Sequence, residues 1–314
     1  MNSRFNALWQ KMILVIGLVA LSAFYAFPQI LRKHALSLQT DNDSYLMIGQ
    51  DQYYTNGLIF TFDKLLGHSA AGTDRLSVQL GHQLFNGSEV YGRDDLKWDR
   101  PSTGYFFLNT QFQRVYTREW LWRVKAEVGT VGEAAKGKQI QQFVHRTFRM
   151  YEVESWESDL KSAVGLDLEA SVFKKLWRNR SDRFEISGGA MGRGGMNFSY
   201  LSSRMIFRAG RLAPYTRSHL VGNGGFLSDD TECYFFYSPG YIYQLHNTTI
   251  QGVVYAQRND EMYDISKHVF FHKVGFAYSH RRFSIEAAVL FNTKEGQQMY
   301  SNHQYAQIKS GFRF

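Results

Sequence analysis

The stretch Glu119-Trp-Leu-Trp-Arg-Val-Lys-Ala-Glu-Val-Gly129 alternates apolar and charged side chains with a period of two. Because successive side chains of a β-strand point to opposite faces, it predicts a strand with one apolar face and one charged face. Its length, about ten residues, is what a tilted strand needs to cross a bilayer. Full charges on the second face favour the wet lumen of a barrel over a soluble sandwich, which remains the alternative.

The same alternation recurs along the chain, in residues 75–85, 160–172 and 283–291 and in a last segment that ends on Phe314. We expect about twelve strands, an even number as in bacterial barrels. The predicted strands begin near residues 36, 53, 75, 103, 119, 159, 182, 198, 232, 267, 282 and 303. The sequence therefore predicts an all-β chain, a single antiparallel transmembrane β-barrel over residues 36–314, with a short helix in an extracellular loop.

The connections between these strands differ in length. Four long connections fall on the outer rim of the predicted barrel, at residues 44–52, 86–102, 131–158 and 247–266. Most inner connections are short, as is usual on the periplasmic side. Residues 209–231 are the exception, because they form a long connection on the inner rim that the pattern does not explain.

Composition limits the function classes. The 314 residues are 44% hydrophobic and 16% aromatic, which is too polar for a bundle of membrane helices. The formal net charge of +8 suits nucleic acid, anionic phospholipid or a phosphorylated glycolipid. No zinc-finger, RNA-binding or helix-turn-helix signature accompanies that charge, so no nucleic-acid partner is expected. Cys233 is the only cysteine, which excludes an internal disulfide.

The N-terminus predicts export from the cytoplasm. Arg4 and Lys11 precede an apolar run over residues 12–27, which is shorter than the roughly 20 residues of a spanning helix. We interpret residues 1–26 as a signal peptide, with an uncleaved anchor as the alternative. The sequence has no second run of this kind, so a membrane-spanning body would be built of strands, in the bacterial outer membrane.

Polar residues cluster at the outer rim of the predicted barrel. Asn42 and Asp43 close the first strand, Thr55 opens the second, and His145 lies in the loop over residues 131–158. A carboxylate, an amide, a hydroxyl and an imidazole would then converge at the level of the outer leaflet. Such a set supplies a base that titrates near neutral pH and a charge that can hold a cation. A solvated turn at Asn42 and Asp43 is the plainer interpretation.

Thr55 has two interpretations. Strict alternation places it on the face of Gly57 and Thr61, opposite Leu58 and Phe60, so that it would point into the barrel. The sequence Thr55-Asn-Gly57 is also compatible with a strand bend or bulge.

Several segments, in this order, resemble the outer-membrane lipid A 3′-O-deacylase family. They are Leu38-Gln-Thr-Asp-Asn-Asp-Ser-Tyr45, Asp51-Gln-Tyr-Tyr-Thr-Asn-Gly57, Asp99-Arg-Pro-Ser-Thr-Gly104, Gln141-Gln142 ahead of His145, and Asn247-Thr-Thr-Ile-Gln-Gly252. The resemblance implies a twelve-stranded barrel with a Ca²⁺-dependent site. It also implies that this site removes an ester-linked acyl chain from the lipid A of lipopolysaccharide.

The resemblance also implies residue roles. His145 would be the general base that activates water. Asn42 and Asp43 would bind or orient the cation and polar groups, with Asp43 as the metal ligand, and Thr55 would support the site. Gln141 would belong to the substrate-binding side.

One position departs from the family. Where the family carries a glutamate, this chain has Tyr151, followed by Glu152. If residues 139–154 form a helix, Glu152 lies on nearly the same face as His145 and could replace the missing carboxylate. A weakened or lost activity is the alternative.

The lysine that the family carries after its third strand has no clear counterpart in this chain. Arg93, Lys97 and Arg100 are the candidates for binding lipid A phosphates, because guanidinium and ammonium groups suit that anion.

Two other functions compete with the deacylase. A phospholipase of the outer membrane would resemble a His-x-Ser arrangement, and none of the ten histidines is followed two places later by serine. A non-catalytic channel or surface-binding barrel would keep the fold without the chemistry. In each case we expect a monomer whose partners are outer-membrane lipids.

Overall fold

A computed structural model describes residues 32–47, 52–89, 98–148, 156, 160–252, 254 and 263–314. Twelve antiparallel strands close into one barrel, in which each strand pairs with its neighbours in sequence and β1 pairs with β12. The strands are β1 (His34–Asn42), β2 (Tyr53–Ser69), β3 (Gly72–Asn86), β4 (Thr103–Tyr116), β5 (Trp120–Val131), β6 (Ala163–Arg178), β7 (Phe184–Gly195), β8 (Phe198–Arg211), β9 (Glu232–Asn247), β10 (His268–His280), β11 (Phe283–Asn292) and β12 (His303–Arg313). The predicted fold class and strand number are confirmed.

The wall is apolar on its outside and polar inside. Leu38, Phe60 and Leu166 are 39%, 52% and 62% exposed on the outer face. Arg75 of β3 and Glu127 of β5 point into the lumen and are buried. A soluble sheet has the opposite arrangement, so this distribution is that of a wall surrounded by lipid.

The helices are short. Helix α1 spans Gly137–Phe148 between β5 and β6, and α2 spans Thr248–Gln251 after β9. Single 3₁₀ turns lie at Ser44–Leu46, Gly132–Ala135, Tyr215–Arg217 and His219–Val221. Within the described ranges, no helix combines the length and the apolar character needed to cross a membrane.

The long inner connection, residues 212–231 between β8 and β9, folds back into the lumen, and we call it the inner segment. Its Tyr215 and Val221 pack against Val115, Leu121 and Phe173 of the barrel. This packing explains why a rim of otherwise short turns carries a long connection.

Polar contacts hold the inner segment in this position. Gln113 of β4 donates its Nε2 to the carbonyl of Val221 at 2.8 Å. The carboxylate of Glu232 accepts from the backbone N–H of Ala213 at 3.1 Å and from the hydroxyl of Ser218 at 2.8 Å. The segment is therefore anchored to both walls of the inner half of the barrel.

The outer loops contact one another across the other mouth. The Asp99 carboxylate accepts from the Tyr53 hydroxyl at 2.7 Å and from the backbone N–H of Tyr300 at 2.9 Å. Arg100 donates Nη2 to the Thr249 hydroxyl at 3.1 Å. The loops that precede β4, follow β9 and precede β12 are thereby joined across this mouth of the barrel.

Candidate active site on the outer wall

A β-bulge in β2 decides where Thr55 lies. The register between β2 and β3 slips between Tyr54 and Asn56, so Thr55 is the extra residue. Tyr54 then points into the lumen, where its hydroxyl donates to Asp41 at 2.7 Å. The Thr55 hydroxyl instead donates to the Asn86 Oδ1 at 2.9 Å, on the outer side of the wall. The prediction that Thr55 points into the barrel is therefore wrong, because an inserted residue shifts the alternation by one position.

Asn86, at the end of β3, connects the wall to helix α1. Its Oδ1 accepts from Gln141 Nε2 and its Nδ2 donates to Gln141 Oε1, each at 3.2 Å. Gln141 Oε1 also accepts from Trp156 Nε1 at 2.7 Å. Asn86 is fully buried, and these bonds meet the hydrogen-bonding needs of its amide.

Asn86 was not predicted from the sequence. Its signal is that it is the second polar residue, after His82, on the outward row of β3 that begins with Val78 and Leu80. A buried amide at the end of such a row indicates a partner outside the wall.

Helix α1 presents a polar face to the barrel. Gly137, Gln141 and His145 recur every four residues and are all buried, with His145 only 7% exposed. Side chains four residues apart are neighbours on a helix, so His145 lies one turn beyond the Gln141 anchor. Ile140 and Phe143 turn the other way and are 39% and 70% exposed.

Two glycines allow the helix to lie this close to the wall. A Cβ built on Gly104 at the start of β4 would lie 2.9 Å from the Cα of Gly137. A Cβ on Gly137 would lie 2.8 Å from the backbone nitrogen of Gly104. Side chains at either position would push α1 outward, which gives Gly104 of the Asp99–Gly104 motif a structural role.

The Asn42-Asp43 pair lies next to the bulge. Asn42 is opposite Asn56, and the backbone N–H of Asp43 donates to the Thr55 carbonyl at 3.3 Å. The buried Asp43 carboxylate accepts from the backbone N–H of Gln52 at 3.1 Å. Hydrogen bonds thus run from Asp43 through Thr55 and Asn86 to Gln141 of α1. The catalytic roles of Asn42, Asp43, Thr55 and His145 stay predictions.

Other predicted site residues are placed differently or not at all. Arg100 is fully buried, and its Nη2 donates to Thr249. Burial lowers the pKa of Arg100, and the neighbouring Glu295 and Asp99 carboxylates act against that shift. Its contact with a lipid phosphate stays a prediction. Arg93, Lys97, Tyr151 and Glu152 lie outside the described residues.

The chemistry of the donors at the site suits a hard cation. Asp43 supplies a carboxylate, Asn42 an amide and Thr55 a hydroxyl, all with oxygen as the donor atom, which is what Ca²⁺ prefers. Nowhere in the part of the chain that the structure describes do three His, Cys, Asp or Glu side chains group closely enough to hold a metal. A Ca²⁺ site would therefore depend on amide, hydroxyl, carbonyl or water oxygens beside Asp43.

Comparison with known proteins shows the family and the fold. Residues 12–314 match the family described as "Outer membrane protein LpxR". The structure of LpxR from Salmonella typhimurium is similar, with a TM-score of 0.73 and 17% identity over 89% of this chain and 100% of that one. The β-domain of the Bordetella autotransporter BrkA shares the barrel with a TM-score of 0.50 and 8% identity, over 90% of this chain and 100% of that one.

Among curated proteins, none matches this sequence significantly. The family match covers nearly the whole chain, and it agrees with the barrel and with the motifs at the rim. The chain is therefore a protein of the bacterial outer membrane, and it belongs to the LpxR family, the lipid A deacylase family that its motifs resemble.

Proposed function

We propose that this protein hydrolyses the ester that joins the 3′-O-acyloxyacyl chain to lipid A in the outer leaflet. The observation that carries the proposal is the hydrogen-bonded connection from Thr55 through Asn86 to Gln141. It holds the His145 face of α1 against the lipid-facing side of the wall. Membership of the LpxR family supports a lipid A substrate.

The reaction needs a base beside the ester. His145 would accept a proton from water as the water oxygen attacks the acyl carbonyl carbon. The ester C–O bond then breaks, the acyl group leaves as a carboxylic acid, and the imidazolium returns its proton to the sugar oxygen. A histidine suits both transfers because its ordinary pKa lies near neutral pH.

The other residues of the site would position His145 and the cation, and the cation would stabilise the oxyanion. Asp43 would hold Ca²⁺ with the help of Asn42, and the bound ion would supply positive charge near the developing oxyanion. Thr55 and Gln141, which both bond to Asn86, would hold helix α1 in place against the wall. Glu152 would orient His145 in place of the glutamate that the family carries at Tyr151.

Lipid A carries phosphates that need cationic partners at the rim. Arg93, Lys97 and Arg100 are proposed for this role, and bidentate guanidinium contacts would suit a phosphate. Of the three, Arg100 is enclosed by its contact with Thr249, so it would act through the loops that it joins.

The lumen supports an enzyme over a channel. The inner segment packs inside one end of the barrel, and loops are joined across the other through Asp99 and Arg100. We expect no steady conductance when the protein is inserted in planar bilayers. Stable single-channel currents would favour the channel alternative.

Mass spectrometry of lipid A tests the proposal directly. Cells that express the protein should lose one ester-linked acyloxyacyl chain from lipid A when calcium is supplied, and should keep it when calcium is chelated. His145→Ala should abolish the loss while the barrel stays folded and heat-modifiable. His272→Ala is the matched control, because His272 bonds to Tyr237 on the wall formed by β9 and β10.

An unchanged lipid A spectrum with folded wild-type protein and calcium would reject the enzyme. Activity retained by His145→Ala would reject the base but not the lipid substrate. Activity unaffected by chelation would reject the Ca²⁺ requirement.

A further inference from the structure

Two cavities of the lumen, as formed by the described residues, have similar size and different charge. The cavity in the outer half measures about 370 Å³, and the cavity in the inner half measures about 290 Å³. The acidic and basic side chains that line the outer cavity are Lys125, Arg193, Glu127 and Glu295. Those that line the inner cavity are Arg75, Arg123, Arg204, Lys273, Lys309, Arg313, Asp63 and Glu286.

Charges in the outer cavity are balanced. Arg193 forms ion pairs with Glu127 and with Asp167 just behind the cavity wall. Lys125 lies 2.9 Å from Glu169. Each cation that lines the outer cavity therefore has a carboxylate at ion-pair distance.

Charges in the inner cavity are not balanced. Asp63 lies 3.6 Å from Arg75, and Glu286 accepts from Lys273 at 2.6 Å, so both carboxylates are already engaged. Four further cations line the cavity without a carboxylate at ion-pair distance in the described part of the chain. They are Arg123, Arg204, Lys309 and Arg313.

Arg313 shows most clearly that the inner cavity lacks acceptors for its cationic donors. It is only 4% exposed, and its Nη2 donates to the Ser284 hydroxyl at 3.2 Å. Its Nε and Nη1 have no hydrogen-bond partner among the described residues, and the same holds for Nε of Arg204. Buried cationic donors without acceptors are unfavourable, and an anion in the cavity would supply the acceptors.

A neighbouring histidine does not change the balance of charge. His219 of the inner segment lies 3.4 Å from Arg313 and 3.9 Å from Glu286. Burial, with the nearby Arg313 charge, lowers the pKa of His219 to about 3. The imidazole is therefore neutral at pH 7, and the net positive charge of the cavity comes from the arginines and lysines.

We propose that the inner cavity binds a small multivalent oxyanion of the phosphate or sulfate type, held by Arg204, Lys309 and Arg313. Charge-assisted N–H···O bonds from guanidinium and ammonium groups suit tetrahedral oxyanions. The three cations come from β8 and β12, and Gly222 and Phe226 of the inner segment line the same cavity. A bound anion would thus link the two strands to the inner segment.

Access favours a free ion over a lipid headgroup. The cavity lies inside the barrel, whereas the lipid-facing site lies outside the wall on α1. A headgroup would need to bring its acyl chains past the inner segment, whereas a small ion needs only a brief opening. The proposal is independent of the deacylase reaction.

Titration of the full-length protein in detergent with inorganic phosphate tests the site. At constant ionic strength set by chloride, isothermal titration should show saturable binding of one phosphate, and sulfate should compete. The apparent unfolding temperature should rise with phosphate concentration, because a ligand that binds only the folded state stabilises it. Vesicles that contain lipid A, without free phosphate, should give no such rise.

Substitutions locate the ion. Lys309→Gln and Arg204→Gln should each weaken phosphate binding about tenfold, the effect of losing one hydrogen bond to a charged group. Glu286→Gln removes a negative charge from the cavity and should tighten binding. Arg114→Gln is the matched control, because Arg114 faces outward beside Asp74 at 3.6 Å, and it should bind like the wild type.

Each variant is first checked for the folded, heat-modifiable form. Lys309→Gln and Arg204→Gln both remove a positive charge, so the test still holds if one of them does not fold. Equal stabilisation by phosphate and chloride in every variant would show screening alone and would overturn the proposal. So would phosphate binding that survives both neutralising substitutions. His145→Ala should bind phosphate normally, so failure of this proposal and failure of the deacylase proposal are distinguishable.

Discussion

Tyr54 and Thr55 are consecutive residues whose side chains form hydrogen bonds on opposite sides of the wall. Tyr54 donates to Asp41 inside the lumen, and Thr55 donates to Asn86 outside it. One bulge produces this separation, since it places neighbouring side chains on different faces without a change of strand. From adjacent positions the chain thereby builds a network in the lumen, which we call the structural network, and a second network on the outer wall that contains residues of the proposed site.

The two networks differ in what they connect. In the lumen, Asp41 accepts from Tyr54, Gln39 and Gln307, which ties β1, β2 and β12 together inside the barrel. On the outer wall, Asn86 ties β2 and β3 to a helix whose far side is exposed. We therefore expect changes in the lumen to alter stability and changes on the wall to alter activity.

Among substitutions that leave the proposed catalytic groups in place, Gly104→Val should have the largest effect on activity. The new side chain would meet the backbone of Gly137 at under 3 Å and displace α1 with His145. A displacement of about 1 Å can cost on the order of 100-fold in rate, so deacylation should fall at least that far while the barrel stays folded. Rates on lipid A vesicles measure this effect.

Gly194→Val is the control for that change, because a Cβ at Gly194 meets no atom within 4 Å. It should leave the rate unchanged. A normal rate for Gly104→Val would mean that the close approach of α1 to the wall is not needed for activity.

Asn86→Leu should have the next largest effect. It removes the hydrogen bonds of Asn86 with Thr55 and with Gln141, at about 1–3 kcal/mol for each lost partner, while the bond from Trp156 to Gln141 remains. A looser α1 should lower kcat/KM roughly 10- to 100-fold, measured by acyl release.

The lumen supplies the comparison for Asn86→Leu. Asn109 donates to Glu127 at 3.0 Å inside the barrel, so Asn109→Leu should change stability but leave kcat/KM within about twofold. Equal losses of activity in the two variants would show that the wall and the lumen are not separable.

Tyr54→Phe should affect stability alone. Asp41 loses one charge-assisted hydrogen bond, which is worth about 1.5–3 kcal/mol in the free energy of unfolding. Urea unfolding in vesicles measures the loss, and lipid A deacylation should proceed at the wild-type rate. A marked fall in activity at unchanged stability would contradict the assignment of Tyr54 to the structural network.

Among the substitutions on the outer wall, Thr55→Val should have the smallest effect on activity. It keeps the shape of the side chain and removes one hydroxyl bond to Asn86, at about 1 kcal/mol, so the rate should fall about fivefold. Thr55→Ser keeps the hydroxyl and should restore most of the rate. If the serine variant is as slow as the valine variant, the hydroxyl is not what connects the wall to the helix.

The sequence predicted the strands well, because a wall between lipid and water imposes a strict period of two. Even so, β6 begins at Ala163 and not near residue 159, since α1 and its loop occupy more of the chain than the pattern indicates. The topology, which places alternate connections on the same rim, predicted that Asn42, Asp43 and the loop over residues 131–158 lie on one rim, whereas Gln141 was predicted only from the family resemblance.

Features that depend on contacts between distant segments could not be predicted. The bulge at Thr55, which the sequence offered as an alternative and the structure confirms, is a property of the pairing between β2 and β3, and alternation within one strand favours the wrong face. In the sequence Asn86 is an ordinary polar residue at the end of a strand, and its partner on α1 is known only from the structure. The inner segment has a role only once the lumen that it fills is known.

The exposed side of α1 has a consequence for how a substrate arrives. Ile140 and Phe143 face away from the protein, on the outer side of the wall. In the proposed reaction a lipid would reach His145 by diffusing sideways within its own leaflet, and the released fatty acid would leave by the same two-dimensional route. The rate should then depend on how densely the substrate is packed in the surface, and very little on how much of it is dissolved in the surrounding water.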